Sequence, residues 1–336
     1  MKKSYALRVL LVCLVLAVFM TACGTQNAQP AATTTAAAAT TTGAAATEAP
    51  TTEAPAQKAR TFAVVYPIIH PFFEDTSRGA EEAAAAIGAK VQLHGPDVFD
   101  VQKQIEIVEN LIAMKVDGFG IGSTDSKALT PLIDKAMDMG IKVVSFDTDA
   151  PESKRLSYIG TDNFNAGKHM GEALVKQLDG KGTVLVSMGV PSQLNLKQRL
   201  DGVEEVLKDY PEVVIVDTQS GQGDPAMTLA NIEDMVKAHP DFDALIGIDA
   251  AAAPAAATVW KGKGLQQVVI VFDDLPETLQ GIRDGQITIS IAQKQFLWGQ
   301  LMVERLNEAC DGIAIPENED TGTIEITKDN VDTYNK

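Results

Sequence analysis

The feature that most constrains the fold is a regular alternation, from residue 61 onward, of short apolar runs with longer stretches of helical period. The short runs are rich in Val and Ile, which is typical of strands. Between them, apolar residues recur at spacings of three and four, as in Ile105, Val108, Leu111 and Ile112, the pattern of a helix packed on a sheet. Ten such runs are too many for one compact nucleotide-binding unit, so we predict an α/β fold of two doubly wound, parallel-sheet lobes.

The individual elements follow from the same pattern. The predicted strands cover residues 61–66, 90–95, 116–122, 142–147, 156–160, 183–188, 213–218, 244–249, 268–273 and 288–293. The predicted helices cover residues 72–87, 101–114, 125–139, 166–178, 195–209, 225–238, 250–262, 276–284 and 296–310.

The N-terminal residues are typical of an export signal. Three basic residues precede an apolar run, residues 9–20, that is shorter than the roughly 20 residues a membrane-spanning helix needs. The run ends in MTAC, residues 20–23, which resembles the lipobox of bacterial lipoproteins, in which the cysteine is lipidated and becomes the mature N-terminus. We therefore predict a lipoprotein signal peptide over residues 1–22 and lipidation of Cys23.

Composition limits what the rest of the chain can do. Residues 23–59 are an Ala/Thr/Pro segment without large apolar residues, and we predict a disordered tether there. Without the signal peptide the chain has 25 basic and 45 acidic residues, a net charge of −20, so nucleic acid is not an expected partner. Cys310 is the one cysteine left after Cys13 is removed and Cys23 is lipidated, so no intramolecular disulfide is expected.

The sequence lacks the spacings that cofactor, metal and nucleophile sites require. The GFGIGS segment, residues 118–123, lies in a predicted strand and has serine at the sixth position of a dinucleotide-binding fingerprint. The four histidines have no zinc-site spacing, and no calcium loop, P-loop or G-x-S-x-G elbow occurs. Asp273 and Asp274 could form an acid pair, but adjacent residues at a strand end point apart. We predict no catalytic residue, no cofactor and no metal, and hence a binding protein rather than an enzyme.

Ligands of open α/β sheets lie beyond the carboxyl ends of the strands, where the connecting loops converge. Aromatic or polar residues follow several predicted strands, namely Phe72, Phe73, Asp147, Asp249, Asp273 and Gln293. Buried carboxylates without partners are costly, so three acids at the ends of apolar strands indicate a shared polar site. Together with Arg199 they match a sugar pocket, in which aromatic faces stack on the ring and carboxylates and guanidinium bind vicinal hydroxyls.

Each of these residues also has a purely structural interpretation. The two phenylalanines could be core residues at a helix start, and Asp147 or Asp249 could close a turn or cap a helix. Asp273 with Asp274 could cap the helix that follows. The sequence leaves these alternatives open.

Six segments carry a family resemblance along the chain. They are HPFFEDTSRGAEEAA, VDGFGIGSTD, the stretch from VVSFDTDAP to GKHMGEAL, KQRLDGVEEVL, FDDLPETLQGIRDG and TISIAQKQ. Over residues 61–325 the sequence resembles the type I periplasmic sugar-binding proteins, the ribose-binding group in particular. The resemblance implies two lobes that close on a ligand about a three-strand hinge. It assigns residues 60–161 and 294–322 to an N-terminal lobe, and 162–293 and 323–336 to a C-terminal lobe.

The resemblance also implies ligand contacts and partners. Phe72 and Phe73 would form an aromatic clamp, His70 would replace the asparagine usual before PFF, and the entrance would lie near Tyr66. The other implied contacts are Asp147, Thr148, Arg199, Asp249, Asp273 and Gln293. The expected partners are a small sugar-like ligand and an ABC permease, with the protein itself a monomer held outside the bacterial cell membrane by its lipid.

Three positions depart from the ribose-binding pattern. Thr148 stands where those proteins place arginine, Asp249 where asparagine is usual, and Gly223 where an aromatic residue is frequent. The first two make the pocket two charge units more negative, which disfavours phosphorylated or carboxylated ligands. We expect a neutral pentose, hexose or polyol, with an amino-bearing ligand second, and additional room beside Gly223.

Proteins of the same fold have two other functions. The sensing domain of lactose-repressor-type transcription factors has this fold, but those proteins begin with a helix-turn-helix, whereas this sequence begins with an export signal. The loaded protein could also present its ligand to a membrane signalling receptor. The sequence does not separate that output from import.

Overall fold

The computed structural model describes residues 59–334. The predicted signal peptide, Cys23 and the predicted tether up to residue 58 lie outside this range, as do residues 335 and 336. Within it, each predicted strand and each predicted helix overlaps an observed one. Two further strands of three residues each, NED at 318–320 and IEI at 324–326, were not predicted because neither contains an apolar run.

Strands and helices alternate along most of the described chain. Up to the first crossing between the lobes they are β1 (Thr61–Val65), a 3₁₀ turn (Pro71–Phe73), α1 (Glu74–Ala86), β2 (Lys90–His94), α2 (Val101–Met114), β3 (Gly118–Ile121), α3 (Ser126–Asp138), β4 (Lys142–Phe146) and β5 (Tyr158–Gly160). They continue with α4 (Asn163–Gln177), β6 (Gly182–Met188), α5 (Leu194–Leu207), β7 (Val213–Ser220), α6 (Pro225–Ala238), β8 (Ala244–Gly247), α7 (Ala252–Lys263), β9 (Val268–Phe272), α8 (Pro276–Asp284) and β10 (Ile289–Ala292). The last three are α9 (Gln295–Cys310), β11 (Asn318–Asp320) and β12 (Ile324–Ile326).

The strands form two six-stranded sheets. The first has the order β11-β5-β4-β3-β1-β2 and is parallel throughout. The second has the order β12-β10-β9-β8-β6-β7 and is parallel except for β12, which runs antiparallel to β10. Helices cover both faces of each sheet and enclose two apolar cores per lobe. The predicted fold class of two doubly wound lobes is confirmed.

The described chain passes between the two sheets three times. It leaves β5 at residues 161–162, leaves β10 at residues 293–294, and runs from β11 to β12 through residues 321–323. Each of the first two crossings sends the next helix to the opposite lobe, so α4 packs on α5 and α9 packs on α1. The Trp298 indole N–H donates to Thr321 Oγ1 at 2.9 Å, which fastens α9 to the third crossing.

Glycines allow these two helix pairs to approach backbone to backbone. A β-carbon at Gly79 or Gly299, where α1 crosses α9, would lie 2.1 or 2.0 Å from a carbonyl oxygen of the facing helix. At the α4–α5 crossing the corresponding distances for Gly167 and Gly202 are 2.0 and 2.2 Å. Since backbone cannot move away as a flexible side chain can, these positions exclude any larger residue.

Gly299→Ala is therefore expected to lower the free energy of unfolding by about 1–3 kcal/mol, because the added methyl would force α9 away from α1. Gly262→Ala is the matched control. Gly262 lies in α7 with no atom within 4 Å of its β-carbon position, so alanine should stabilise that helix by about 0.5–1 kcal/mol. Denaturant unfolding of both variants tests this, and equal changes of the same sign would contradict it.

Candidate functional site

A cleft between the two lobes lies at the carboxyl ends of the strands. The space between its walls, counted together with the open mouth, is about 660 Å³. Eight of the ten residues predicted to contact the ligand line it, namely His70, Phe72, Phe73, Asp147, Arg199, Asp249, Asp273 and Gln293. The parallel topology brings them together from both lobes, since the carboxyl ends of each sheet face the same cleft.

The first lobe contributes an aromatic wall. The Phe72 and Phe73 rings meet edge to face, with centroids 4.8 Å apart, on the 3₁₀ turn after β1. The Phe72 N–H donates to His70 Nδ1 at 3.2 Å, so the proton of the neutral imidazole is on Nε2. Burial lowers the pKa of His70, which keeps the ring neutral. Phe73 also packs on Phe146 behind the wall, so the core interpretation holds for it alongside the role in the cleft.

Two predicted contacts lie elsewhere. Tyr66 is 3% exposed, its hydroxyl is 2.7 Å from Ser77 Oγ, and its ring packs on Phe73 within the first-lobe core. The expectation that Tyr66 lines the entrance is therefore corrected. Thr148 is completely buried, and its hydroxyl donates to Asp147 Oδ2 at 3.3 Å. It supports that carboxyl instead of lining the cleft.

Two of the three cleft carboxyls, one in each lobe, belong to residues with the same left-handed backbone conformation. Asp147 follows the last residue of β4 with φ 55°, and Asp273 follows the last residue of β9 with φ 70°. Aspartate is one of the few non-glycine residues that adopt this left-handed conformation readily, and such residues are frequent at functional sites.

Most of the helix-capping alternatives are excluded. The helix that follows Asp147 is α4, whose N-cap is Asp162, and the helix that follows Asp273 is α8, whose N-cap is Leu275 without a side-chain bond. Neither Asp147 nor Asp273 therefore caps the helix that follows it. Asp249 does interact with the first backbone N–H groups of α7, which is a turn role. Its buried Oδ1, however, has no hydrogen-bond partner among the described residues. Such an oxygen at a cleft wall favours a donor supplied by a ligand.

Burial changes the acidity of all three carboxyls. It raises the pKa of Asp147 to about 6, of Asp249 to about 6 and of Asp273 to about 7. The positive charge of Arg199 acts in the opposite direction on each. These carboxyls therefore titrate near neutral pH, and any group that donates hydrogen bonds to them favours their charged form.

Arg199 is held by the protein on several sides. It is 2% exposed, and its guanidinium carbon lies 4.2 Å from the centre of the Phe272 ring. The side chain donates to Asn163 Oδ1 at 2.8 Å, to the Ile248 carbonyl at 3.1 Å and to Gln293 Oε1 at 2.9 Å. Three of its five N–H groups are used in this way, which leaves two for a ligand or a carboxylate.

The same hydrogen-bond network reaches the crossings between the lobes. Gln293, beside the second crossing, donates from Nε2 to Asp273 Oδ1 at 2.8 Å. Asn163, beside the first crossing, donates to the Tyr158 hydroxyl at 3.1 Å. Arg199 lies between them, so the cleft and two of the three crossings form one connected polar unit.

Sequence reasoning missed several residues of the site. Asn195 lines the cleft and donates from Nδ2 to Asp147 Oδ1 at 3.2 Å, a bond between the lobes. It precedes Arg199 by four residues on α5, so helical spacing could have identified it. Phe99 also lines the cleft and lies after the carboxyl end of β2, where the positional rule applied to the other strands could have found it.

The room expected beside Gly223 is filled. A β-carbon at this position would lie 2.3 Å from Cδ2 of Phe99, so the aromatic ring from the opposite lobe occupies that space. The expectation of a wider pocket on this side is corrected.

The two adjacent acids after β9 have different surroundings. Asp273 accepts from Gln293 in the cleft, whereas Asp274 Oδ2 accepts from the Tyr334 hydroxyl at 3.0 Å. They are therefore not arranged to share a proton with each other. Across residues 59–334, no group of three or more His, Cys, Asp or Glu side chains is placed to hold a metal ion.

Comparisons with known proteins identify the family to which this chain belongs. Residues 62–314 match the periplasmic binding protein domain. A D-ribose/D-allose-binding protein of Pseudomonas aeruginosa is 30% identical over 283 residues, 80% of this chain and 87% of that protein. The ribose import binding protein RbsB of Bacillus subtilis is 29% identical over 244 residues, 72% of this chain and 79% of that protein.

Solved structures agree with this. An ABC transporter solute-binding protein from Burkholderia graminis, in complex with D-arabinose, is similar with a TM-score of 0.81 at 35% sequence identity. The match covers 82% of this chain and 98% of that one. The chain belongs to the periplasmic binding protein family, which confirms the family predicted from the sequence.

Proposed function

We propose that the protein binds a neutral monosaccharide or polyol in the cleft and delivers it to an ABC importer. The observation that carries this proposal is that one cleft holds an aromatic wall, Phe72 and Phe73, together with three carboxyls and one guanidinium. Sugar hydroxyls donate to carboxylates and accept from guanidinium, while the C–H face of the ring packs on aromatic side chains. The relatives named for ribose, allose and import support the same ligand class.

The charge of the cleft favours neutral ligands over acidic ones. Asp147, Asp249 and Asp273 outnumber the guanidinium of Arg199, which has only two N–H groups left to donate. A phosphate or carboxylate would meet more negative than positive charge in a buried site. An amino-bearing sugar remains the second candidate.

The proposal includes where the protein acts. An export signal over residues 1–22, a lipid on Cys23 and a tether to residue 59 would hold a monomeric binding protein outside the cell membrane, beside its permease. Its family supports an extracytoplasmic location. Over residues 59–334, every helix is too short or too polar to cross a membrane.

Thermal unfolding against a panel of pentoses, hexoses, polyols, amino sugars, sugar phosphates and sugar acids tests the ligand class. A sugar at 100 times its dissociation constant should stabilise the protein by about 2.7 kcal/mol. For the 276 residues of the described part, 59–334, the midpoint should rise by roughly 4–5 °C. A shift with sugar phosphates or sugar acids, and none with neutral sugars, would overturn the proposal.

A further inference from the structure

One contact between the lobes lies on the far side of the cleft from the hinge. Phe99 is on the loop between β2 and α2 in the first lobe, and Gly223 is on the loop between β7 and α6 in the second. A β-carbon added at Gly223 would lie 2.3 and 2.4 Å from Cδ2 and Cε2 of the Phe99 ring. The ring edge therefore rests directly on the backbone of the opposite lobe, and both residues line the cleft.

The sheet order gives this contact a mechanical role. β2 and β7 are the edge strands farthest from β11 and β12, which carry the third crossing. At about 4.8 Å between strands, five intervals place the contact about 24 Å from that edge. Because displacement grows with distance from a hinge, opening the lobes separates Phe99 from Gly223 more than it separates residues near the crossings.

Gly223 has the conformation and the size that the contact requires. Its φ is 76°, in the left-handed region that glycine adopts without strain. Any side chain here would occupy the position of the Phe99 ring and hold the lobes apart.

We propose that Phe99 and Gly223 form a latch that completes the ligand site only when the lobes close. This proposal rests on the proposed sugar-binding function. In it, Phe99 is a third aromatic contact, and closure of the lobes brings its ring to the second-lobe side of the ligand. The glycine at 223 sets how fully the lobes close, and thus how slowly the sugar is released.

The test compares Gly223→Ala with Gly312→Ala. Gly312, on the turn after α9, has a φ of 75° and no atom within 4 Å of its β-carbon position. Replacing it with alanine therefore adds the same backbone strain, but outside the cleft. Affinity and release rate are measured by calorimetry and stopped flow with D-ribose and D-arabinose. Gly223→Ala should weaken binding about tenfold, mainly through faster release, whereas Gly312→Ala should bind like the wild type.

A double-mutant cycle tests the pair itself. In a Phe99→Ala background the ring is absent, so adding Gly223→Ala should change affinity by less than about twofold. If Gly223→Ala weakens binding equally with and without the ring, or leaves the wild-type affinity unchanged, the latch is overturned even though sugar binding stands.

A measurement without sugar separates this proposal from the proposed function. In a Cys310→Ser background, Phe99→Cys with Gly223→Cys should form an intramolecular disulfide under mild oxidation, seen on a non-reducing gel. Cross-linking without binding of either sugar would count against the proposed ligand class and for the latch contact. Failure to cross-link would count against the contact between Phe99 and Gly223, and so against the latch, whatever the sugar affinities.

Discussion

Replacing Arg199 with methionine is expected to lower the free energy of unfolding by about 3–5 kcal/mol at pH 7.5. The guanidinium is almost completely buried and is the cation that offsets the charges of Asp147, Asp249 and Asp273. Methionine has a similar length, so the loss reports mainly the uncompensated carboxyls and the acceptors left without donors. Denaturant unfolding measures it, with Arg199→Lys as the variant that keeps the charge but loses the planar fork.

The size of this loss should depend on pH in a defined direction. Burial already raises the pKa of each carboxyl, and without Arg199 the pKa of each rises further. An acid whose folded-state pKa lies above its unfolded value, near 4, destabilises the fold increasingly as pH rises from there to the folded-state pKa. The variant should therefore be closest to the wild type near pH 5 and farthest from it above pH 8. A deficit independent of pH would contradict this account.

Asp273→Ala is expected to weaken sugar binding by about 10- to 100-fold, the value of one charge-assisted hydrogen bond to a ligand hydroxyl. It also leaves Gln293 without the acceptor that orients it. Isothermal calorimetry with the best sugar of the panel measures the change. Asp138→Asn is the control, since Asp138 is exposed on α3 and pairs with Lys154 away from the cleft. Equal affinities of the two variants would show that Asp273 does not face the ligand.

Wild-type affinity should also vary with pH because of the same carboxyl. Burial raises the pKa of Asp273 to about 7, and hydroxyl donation to its charged form lowers the pKa in the complex. Binding then releases protons, so affinity should rise as pH increases from 5.5 to about 7 and level off above it. Asp273→Ala should flatten part of this slope.

The local pattern of the sequence was enough to predict the secondary structure and the edge of the sheets at which the site lies. The apolar stripe of α2, for example, buries Val108 and Leu111 against the first sheet, as its spacing of three indicates. The acids after β4 and β9 reach the cleft because every parallel strand presents its carboxyl end to the same edge. Strands β11 and β12 escaped prediction because three-residue strands of mixed polarity have no periodicity to read.

The sequence by itself thus determined the order of the elements, the two-lobed class and eight of the residues that line the cleft, because those properties depend on neighbours within one or two turns of chain. The tertiary structure decided which groups pair inside it. Arg199 meets Asn163 and Gln293, which are 36 and 94 positions away, and their meeting depends on how α4, α5 and the end of β10 pack together in the second lobe. It also showed Tyr66 in the core and Phe99 against Gly223, since these are contacts between surfaces that no local spacing encodes.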